Sequence, residues 1–531
     1  MLAAPSLTLP QKRYLYVVVF TSGMVTLGLE LSASRLLGTV FGTSNIVWAN
    51  IIGLILIYLT AGYFLGGRLA DRSPHAAAFY HVILWGAFTA GLIPIAARPV
   101  LQIAARAVQN IDAAVLVGSF GVTLILFALP VTLLGTVSPF AIRLAIEDTS
   151  RAGRISGRMY AISTVGSIIG TFLPVLVLIP TIGTNLTFLS LSGLLLAVAL
   201  GGLAMVDWRK AAFFLWMPLV LAALALIALR GPLRPPPPGA MLLYEGESTY
   251  NYIQVVRWGA ANMLFLNEGQ GIHSVYYPDY PDAVETGGTW DYYLAAPFFN
   301  SPPYTPADVH SMAMVGLAGG TVPKQYTQVF GPIPIDGIEI DPQIVRAGRD
   351  YFAMHEPNLN VIVQDGRYAL AVSKRTYDVI GVDAYKLPYV PWNLTTVEFF
   401  QSARDHLTER GVLAINVGRT ARDRRLIEAF AATLRVVFPS VHVIDVPQTC
   451  NSIMVATVQP TTPQNLLANR ALLGAEAHPL LVKVLERAYE QIRPTPSGGI
   501  VLTDDRAPTE LLTDLILVNF VLGGGSELPC Q

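Results

Sequence analysis

The sequence predicts a multi-pass α-helical membrane domain followed by an α/β domain, with a small β-sheet at the start of the second. Hydrophobic residues make up 53% of the 531 residues and charged residues 13%, about half of the roughly 25% that is usual in soluble domains. The apolar excess lies in the first 230 residues. After residue 312, short apolar segments alternate with helical segments, which is typical of a parallel sheet covered by helices.

Seven segments of the N-terminal half have the roughly 20 mostly apolar residues that a membrane helix needs. The fourth is long and carries Pro130 and Pro139, so we expect a kink or a break in it. Lys12 and Arg13 precede the first segment without a small-residue cleavage site, which favours a membrane helix over a signal peptide. The segments are Tyr14–Leu36, Ile46–Gly66, Phe79–Ala97, Val115–Ile142, Met159–Pro180, Leu186–Val206 and Ala211–Leu229.

The basic residues of this half favour a cytoplasmic N-terminus, because cytoplasmic loops carry an excess of Lys and Arg. The inner loops then hold Lys12, Arg13, Arg68, Arg72, Arg143, Arg151, Arg154, Arg158, Arg209 and Lys210. The outer ends hold Arg35, Arg98, Arg106, Arg230 and Arg234. Seven crossings place everything after Arg230 outside the cytoplasm, and a miscount of one helix would reverse this. The cell membrane is thus the expected location.

A proline-rich run, which contains Pro232 and Pro235–Pro238, predicts a semi-rigid spacer between two domains. We therefore predict a seven-helix transmembrane domain over residues 1–230 and a linker over 231–240. A small antiparallel β-sheet is predicted over 241–300, and the α/β domain over 301–531.

Three features of the membrane half are candidates for function or packing. Glu30 lies inside the first helix, where a carboxylate is costly and often marks a pathway; the alternative is a structural partner for Arg35 or for a hydroxyl on another helix. Gly166 and Gly170 are spaced for close helix packing. The loop Gly66–Arg72 is similar to one in major-facilitator transporters, but no duplicated second half follows it.

The sequence of the C-terminal half predicts two kinds of β-sheet, one antiparallel and one buried on both faces. Met241–Val275 alternates apolar and polar residues, with turn signals at Trp258-Gly259 and Glu268-Gly269, as in an antiparallel sheet. Trp290–Phe299 and Thr321–Phe330 are predicted helices, as are Pro342–Met354, Thr395–Glu409 and Ala421–Val437. The predicted strands are apolar throughout, which is typical of a sheet buried on both faces. They are Ala313–Gly316, Ile335–Ile340, Val361–Gln364, Tyr377–Val382, Val412–Val417, His442–Val446 and Ser452–Val458.

Glycines or acids follow four of these strands, where a parallel sheet binds its ligands. Glycines let a ligand approach the backbone closely, and a carboxylate after the second strand can accept hydrogen bonds from ribose hydroxyls. The alternative is that the acids cap the helices that follow them, for which Asp341 and Asp365 are the best candidates. The predicted cofactor-binding residues are Gly316, Gly319, Gly320, Glu339, Asp341, Asp365 and Gly366, and Asp383 follows the fourth strand.

The order and spacing of these motifs resemble the spermidine synthase family, a branch of the Rossmann-like methyltransferase fold, over roughly Leu243–Val417. The resemblance rests on the opening strand at Glu247–Val255, the hairpin Leu264–Gly269, the segment Trp290–Pro297 and the four strand ends. Membrane-embedded members with an N-terminal helical block are the most similar form, and Leu502–Glu510 resembles a stretch of theirs.

The resemblance implies a nucleoside site for decarboxylated S-adenosylmethionine, with methylthioadenosine as the product. It places Glu339 on the ribose hydroxyls and Asp365 on the adenine amine. The amine site departs from the family pattern. Gly319 replaces an acid of the turn, and the Asp-x-x-Asp loop reads Asp383-Ala-Tyr385-Lys386, so that a cation stands at the position of the expected base. Asn251, Trp290, Asp291 and Tyr385 occupy further substrate positions, and Asp279 and Asp282 are possible replacement acids.

Three functions are compatible with these residues. The first is a membrane-anchored transferase that uses an adenosylmethionine-type nucleoside, and the second is an inactive interaction subunit of a membrane complex. The third is transport by the helical block, regulated by the second domain. The net charge is near zero, so the sequence lacks the basic surface that nucleic-acid binding needs. The two cysteines, Cys450 and Cys530, are too few for a zinc site. The expected partners are the bilayer, a small nucleoside and possible membrane subunits.

Overall fold

The computed structural model describes residues 7–41, 45–108, 113–146, 149–229, 231–232, 234–267, 271–385 and 389–522. The chain forms two compact units. One contains the residues up to Pro235 together with 246–249, and the other contains 236–245 together with the residues from Tyr250 onward. Each unit has its own hydrophobic core.

The first unit is a helical bundle whose core consists of buried Leu, Ile, Val, Ala and Phe side chains. Its helices are α1 (Leu9–Phe41), α2 (Asn45–Arg72), α3 (Ala76–Val108), α4 (Ala113–Gly135), α5 (Val137–Ala145), α6 (Ala152–Leu173), α7 (Ile179–Ala204), α8 (Trp208–Phe213) and α9 (Trp216–Ala228). The predicted break of the fourth segment lies between α4 and α5, before Pro139. Glu30 and Arg35 are both half-buried in α1.

Among the described residues, six helical segments are long and apolar enough to cross a membrane. One of them, Ala152–Ala204, has 53 residues, which would extend about 80 Å as a single straight helix. The hydrocarbon core of a bilayer is only about 30 Å thick. This segment is broken at Gly183, whose φ of 79° lies in the left-handed region that favours glycine. It therefore consists of two helices, where the sequence predicts two.

The two helices of this segment run in opposite directions. Gly166 and Gly170 of α6 pack against the Phe20 and Met24 backbone of α1, so α6 lies parallel to α1 and the small residues allow close contact. In contrast, the Tyr14 hydroxyl of α1 donates to the Val198 carbonyl 3.0 Å away, while Gly28 faces Leu191. Residue numbers thus rise along α1 as they fall along α7, and those two helices are antiparallel.

The second unit begins with a four-stranded antiparallel sheet in the order β1-β2-β3-β4. The strands are β1 (Met241–Glu247), β2 (Tyr252–Trp258), β3 (Ala261–Leu266) and β4 (Ile272–Tyr276). The turn predicted at Trp258-Gly259 joins β2 to β3, and Gly259 has a φ of 59°. The other predicted turn, Glu268-Gly269, lies outside the described residues.

The second unit continues into an eight-stranded sheet with the order β12-β10-β11-β9-β8-β5-β6-β7. Strands β5 to β9 are parallel, and β10 and β11 form an antiparallel hairpin beside β9. The strands are β5 (Met312–Val315), β6 (Ile335–Glu339), β7 (Leu359–Val363), β8 (Tyr377–Val382), β9 (Leu407–Gly418), β10 (Ser440–Asp445), β11 (Asn451–Thr457) and β12 (Ile492–Arg493). The strand order reverses between β5 and β8, where open α/β sheets bind ligands.

Helices cover both faces of this sheet, and the central strands β5, β6 and β8 are buried throughout, as their continuous apolar runs predict. The edge strand β7 is partly exposed. The helices are α10 (Thr321–Phe330), α11 (Pro342–Tyr351), α12 (Gly366–Ala371), α13 (Val397–Asp405), α14 (Arg425–Val437), α15 (Gln464–Ala471), α16 (Pro479–Glu490) and α17 (Thr509–Leu522).

Four predicted helices differ from the structure. Helix α11 ends at Tyr351 rather than Met354, and α14 begins at Arg425 rather than Ala421. Helix α13 ends at Asp405 rather than Glu409, because β9 already begins at Leu407 and pairs with Tyr377 of β8. Thr289–Phe299 is a 3-10 helix rather than an α-helix. It contains Pro297, which has no N–H to donate to an α-helical hydrogen bond. Strand β12 is short and was not predicted.

Candidate functional site

The candidate site lies at the carboxyl ends of β5 and β8, the two strands between which the sheet order reverses. The chain leaves β5 in a tight turn, in which Gly316 has a φ of 89°, Ala318 of 49° and Gly320 of 85°. A Cβ atom on Gly316 would lie 2.5 Å from the carbonyl oxygen of Asp383 at the end of β8. Glycine therefore allows the two strand ends to touch at the point where a ligand would enter.

Glu339, at the end of β6, is buried with 7% of its surface exposed. Its carboxylate accepts hydrogen bonds from the Ala318 N–H at 2.9 Å and from the Asp341 N–H at 3.1 Å. Burial raises the pKa of Glu339 to about 7, although these backbone hydrogen bonds oppose the shift. Glu339 therefore fixes the glycine turn from the carboxyl end of β6, and it is not among the residues that line the cavity described below.

Asp341 caps α11 through the Gln343 N–H, which donates to Oδ1 at 2.9 Å. Its other oxygen accepts from the Asn251 side chain at 2.9 Å, and Asn251 in turn accepts from the Asn267 side chain at 2.9 Å. The capping interpretation thus describes Asp341 in the structure. Asn251, a predicted substrate residue, connects the small sheet to this cap.

Asp365 caps α12 by accepting the Tyr368 N–H at 3.0 Å, so the capping interpretation also describes this residue. The carboxylate is half-buried. A Cβ atom on Gly366 would lie 2.5 Å from Val315 Cγ1. The glycine therefore lets the start of α12 pack directly on the end of β5.

Asp383 lies in a cavity between β4, the Thr289–Phe299 helix and the ends of β5, β8 and β9. Its Oδ1 accepts from the Asn416 side chain at 2.9 Å, and the Tyr385 hydroxyl donates to the Asn416 carbonyl at 3.2 Å. Withdrawal from water raises the pKa of Asp383 to about 6. The cavity is lined by Gly271, Ile272, His273, Ser274, Thr289, Trp290, Met314, Gly316, Leu317, Ala318, Thr321, Val322, Asp383, Tyr385, Asn416 and Asn451.

Trp290 and Asp291, which are adjacent in the sequence, occupy different environments. Trp290 lines the cavity. Asp291 is buried and accepts four hydrogen bonds, from the N–H and hydroxyl of Thr286, the Gly287 N–H and the Gln325 side chain, at 2.6–3.1 Å. Asp291 is not among the residues that line the cavity. Its carboxylate instead holds the 286–288 loop through the hydrogen bonds from Thr286 and Gly287.

Gly319 stands where the resemblance implies an acid, and the space for one is occupied. A Cβ atom there would lie 2.9 Å from Ser274 Cβ and 3.0 Å from Phe352 Cγ. Of the possible replacement acids, Asp279 pairs with Arg257 and Asp282 is exposed. Among the described lining residues Asp383 is the acid. Lys386, at the implied base position, lies outside the described residues.

Six polar residues that line the cavity were not predicted from the sequence: His273, Ser274, Thr289, Thr321, Asn416 and Asn451. Asn416 has 6% of its surface exposed, and its Oδ1 has no hydrogen-bond partner among the described residues. The same holds for Nε2 of His273, and burial lowers the pKa of this histidine to about 4. Asn451 lies at the start of β11. The position of Asn416 near the end of the predicted strand Val412–Val417 was the one usable signal.

Comparison with known proteins finds similarity in the C-terminal half of the chain. Residues 329–469 match the model of the spermine/spermidine synthase domain. A probable polyamine aminopropyl transferase of Bifidobacterium longum is 32% identical over 287 residues, which are 51% of this chain and 62% of that relative. A polyamine aminopropyltransferase of Vibrio vulnificus is 26% identical over 281 residues, 51% of this chain and 88% of the relative.

A solved structure, a probable spermidine synthase from Corynebacterium glutamicum, has 21% sequence identity and a TM-score of 0.40, covering 50% of this chain and 97% of that chain. The matched residues 329–469 contain Glu339, Asp365 and Asp383, the acids at the ends of β6, β7 and β8. The C-terminal half of the chain contains a spermine/spermidine synthase domain.

Proposed function

We propose that the chain is a membrane-anchored transferase of the aminopropyltransferase type, which binds an adenosylmethionine-type nucleoside and uses a modified amine site. The observation that supports this most is the convergence of four strand ends. The glycine turn, Glu339, Asp365 and Asp383 follow β5, β6, β7 and β8, which are neighbours in the sheet. Their carboxyl ends therefore meet at one edge, and the apolar helices of the first unit would hold the protein in the bilayer.

Carboxylates at this edge suit a nucleoside, because they accept hydrogen bonds from vicinal hydroxyls and from an exocyclic amine. In the proposed complex Glu339 binds the ribose hydroxyls and Asp365 binds the adenine amine. The glycine turn lets the nucleoside pass close to the backbone. The sulfonium end of the nucleoside would then point toward the cavity that contains Asp383.

The reaction joins the nitrogen of an amine to the propyl carbon next to the sulfonium. The carbon–sulfur bond breaks, its electron pair returns to sulfur, and methylthioadenosine leaves. The incoming ammonium must first lose a proton, and the Asp383 carboxylate can accept it. Asn416 donates to Asp383 Oδ1 and would keep that oxygen in place, and Trp290 and Met314 contribute apolar surface to the cavity.

Replacing Asp365 by alanine should weaken binding of methylthioadenosine by about 100-fold or more, because both the carboxylate for the adenine amine and the cap of α12 are lost. Loss of a hydrogen bond to a charged group weakens binding by about tenfold to 100-fold. Isothermal titration calorimetry on the detergent-solubilised full chain would measure this.

Asp365→Asn is the matched control, since asparagine also caps helices well but presents no carboxylate to the amine. We expect it to fold like the wild type and still bind methylthioadenosine weakly. Unchanged affinity in both variants would exclude Asp365 from the site. Absence of binding by the wild type of methylthioadenosine, S-adenosylmethionine and its decarboxylated form would overturn the transferase proposal.

The second candidate, an inactive interaction subunit with an extracytoplasmic domain, is favoured by one observation. Cys450 is disulfide-bonded, and disulfides persist mainly in oxidising compartments, where such nucleosides are not expected. The other cysteine of the sequence, Cys530, lies outside the described residues. A topology reporter fused after Gln531 decides between the candidates: cytoplasmic activity supports the transferase, and extracytoplasmic activity supports the interaction subunit.

A further inference from the structure

The segment Leu502–Arg506, close to the C-terminus, is fixed through its backbone beside α12 and α13. The buried Leu502 donates its N–H to the Thr433 hydroxyl at 3.0 Å and accepts the Val397 N–H at 2.9 Å. Thr503 and Arg506 exchange two backbone hydrogen bonds of 3.0 and 2.9 Å. Asp504 lies inside this turn, so its position does not depend on its own side chain.

The Asp504 carboxylate makes a two-pronged ion pair with Arg367, which lies in the first turn of α12. The two guanidinium nitrogens donate to the two carboxylate oxygens at 2.7 and 2.6 Å, the geometry in which Arg–carboxylate pairs are strongest. The Thr396 hydroxyl also donates to Asp504 at 2.7 Å. The hydrogen bond from Arg367 lowers the pKa of Asp504, which therefore stays ionised.

Arg367 lies two residues after Asp365, the acid proposed to bind the adenine amine. The guanidinium interacts electrostatically with Asp504, Glu398 and Asp365, and the hydrogen bond to Asp504 is the largest influence on it. Glu398 already accepts the Asp504 N–H at 3.0 Å. Arg367 also donates to the Asn393 carbonyl at 3.2 Å. If Asp504 carried no charge, Glu398 and Asp365 would be the carboxylates that attract the guanidinium, and Asp365 is the N-cap of the helix that carries Arg367.

We propose that Asp504 is a positioning residue, which holds the Arg367 guanidinium away from Asp365 and so keeps the Asp365 carboxylate free to select adenine. This inference rests on the proposed nucleoside binding. It gives the Thr503–Arg506 turn a role in specificity, because a base with an exocyclic amine donates to a free carboxylate. A 6-oxo base would instead present a carbonyl oxygen to that carboxylate.

The ratio of affinities for methylthioadenosine and methylthioinosine tests the proposal. Calorimetry on the full chain in detergent would compare the wild type with Asp504→Asn, Arg367→Gln and the double variant. We expect the wild type to prefer methylthioadenosine by at least about tenfold, the usual effect of a lost hydrogen bond to a charged group. Asp504→Asn should lose that preference, because Arg367 then pairs with Asp365.

The expected result is asymmetric, which a merely structural ion pair would not produce. Arg367→Gln removes the competing cation and should keep the preference, and the double variant should regain it. Melting temperatures would fall similarly in both single variants, since each breaks the same pair. Equal loss of preference in Arg367→Gln and Asp504→Asn, or an unchanged preference in Asp504→Asn, would overturn the inference.

The outcome for the wild type separates this inference from the proposed function. If the wild type binds neither methylthioadenosine nor methylthioinosine, the proposed function fails and the inference fails with it. If the wild type prefers methylthioadenosine and the double variant does not, the nucleoside site stands and the role of Asp504 is excluded.

Discussion

Glu339→Gln is expected to weaken methylthioadenosine binding by about 100-fold, because two ribose hydroxyls lose a charged acceptor and each such hydrogen bond contributes about 1.5–3 kcal/mol. The substitution also disturbs the turn after β5. The carboxylate accepts the Ala318 and Asp341 N–H groups with its two oxygens, whereas a glutamine side chain offers one oxygen and would direct an amide NH₂ toward the other donor.

The same residue should make binding depend on pH. Burial raises the pKa of Glu339 to about 7 in the folded protein, above the roughly 4.3 of an unfolded glutamate. Ribose hydroxyls donate to the ionised form, so wild-type affinity should rise as the pH rises through about 7. Between about pH 4.3 and 7, Glu339 is protonated in the folded protein without ligand but ionised in the unfolded chain. The contribution of Glu339 to the free energy of unfolding therefore falls as the pH rises through this range.

Asp336→Asn is the matched control, since Asp336 is a buried acid on the same strand, β6, bonded to Arg375 and Tyr377. It should lower the melting temperature without changing the pH dependence of nucleoside binding. Calorimetric titrations at pH 6, 7 and 8, chosen to bracket about one unit on either side of that pKa, would measure both variants. A pH profile that persists in Glu339→Gln would assign the titration to another group.

The strands that hold the site could be predicted because their signal is local. Tyr377–Val382 forms β8 over the predicted range, and the ends of β5, β6 and β7 differ from prediction by one or two residues. Continuous apolar runs followed by glycine or acid define a parallel strand and its ligand end. The convergence of Glu339, Asp365 and Asp383 at one edge follows from that pattern, without any side-chain contact.

The contacts between side chains could not be predicted, because they join residues far apart in the chain. Asp291 follows Trp290 directly, yet it is held by Gln325, and Asn251 is held by Asp341. Both were predicted to touch a substrate from their position alone. In the structure both side chains are hydrogen-bonded within the fold, since a buried polar group must be paired, and their contact with a substrate stays a prediction.

The cavity that contains Asp383 is a second case in which side-chain contacts could not be predicted from the sequence. The resemblance implies an acid at the position of Gly319, but it does not reveal that Ser274 and Phe352 fill the space around this glycine. Nor does it reveal that Asn416 places an unpartnered oxygen there, as judged over the described residues. Shape and neighbouring acceptors therefore decide what this cavity can bind, and they arise from β4 and β9, which are separated by more than 130 residues.

Asp383→Asn is expected to slow the formation of methylthioadenosine by about 10²–10⁴-fold if Asp383 is the general base, because this is the range that such groups contribute to the rate. The substrate would be decarboxylated S-adenosylmethionine with a panel of primary amines as acceptors. Withdrawal from water raises the pKa of Asp383 to about 6. Because the base must be ionised to accept a proton, the rate should rise with pH through about 6 in the wild type.

Asp378→Asn supplies the control, because Asp378 lies at the opposite end of the same strand and bonds to Thr408 and to the His310 N–H. It should alter stability but keep the pH profile of the rate. Methylthioadenosine affinity should also survive in Asp383→Asn, since the nucleoside is assigned to Glu339 and Asp365. A variant that keeps both the rate and the pH profile would show that another group takes the proton, whereas loss of affinity together with rate would make Asp383 part of the nucleoside site.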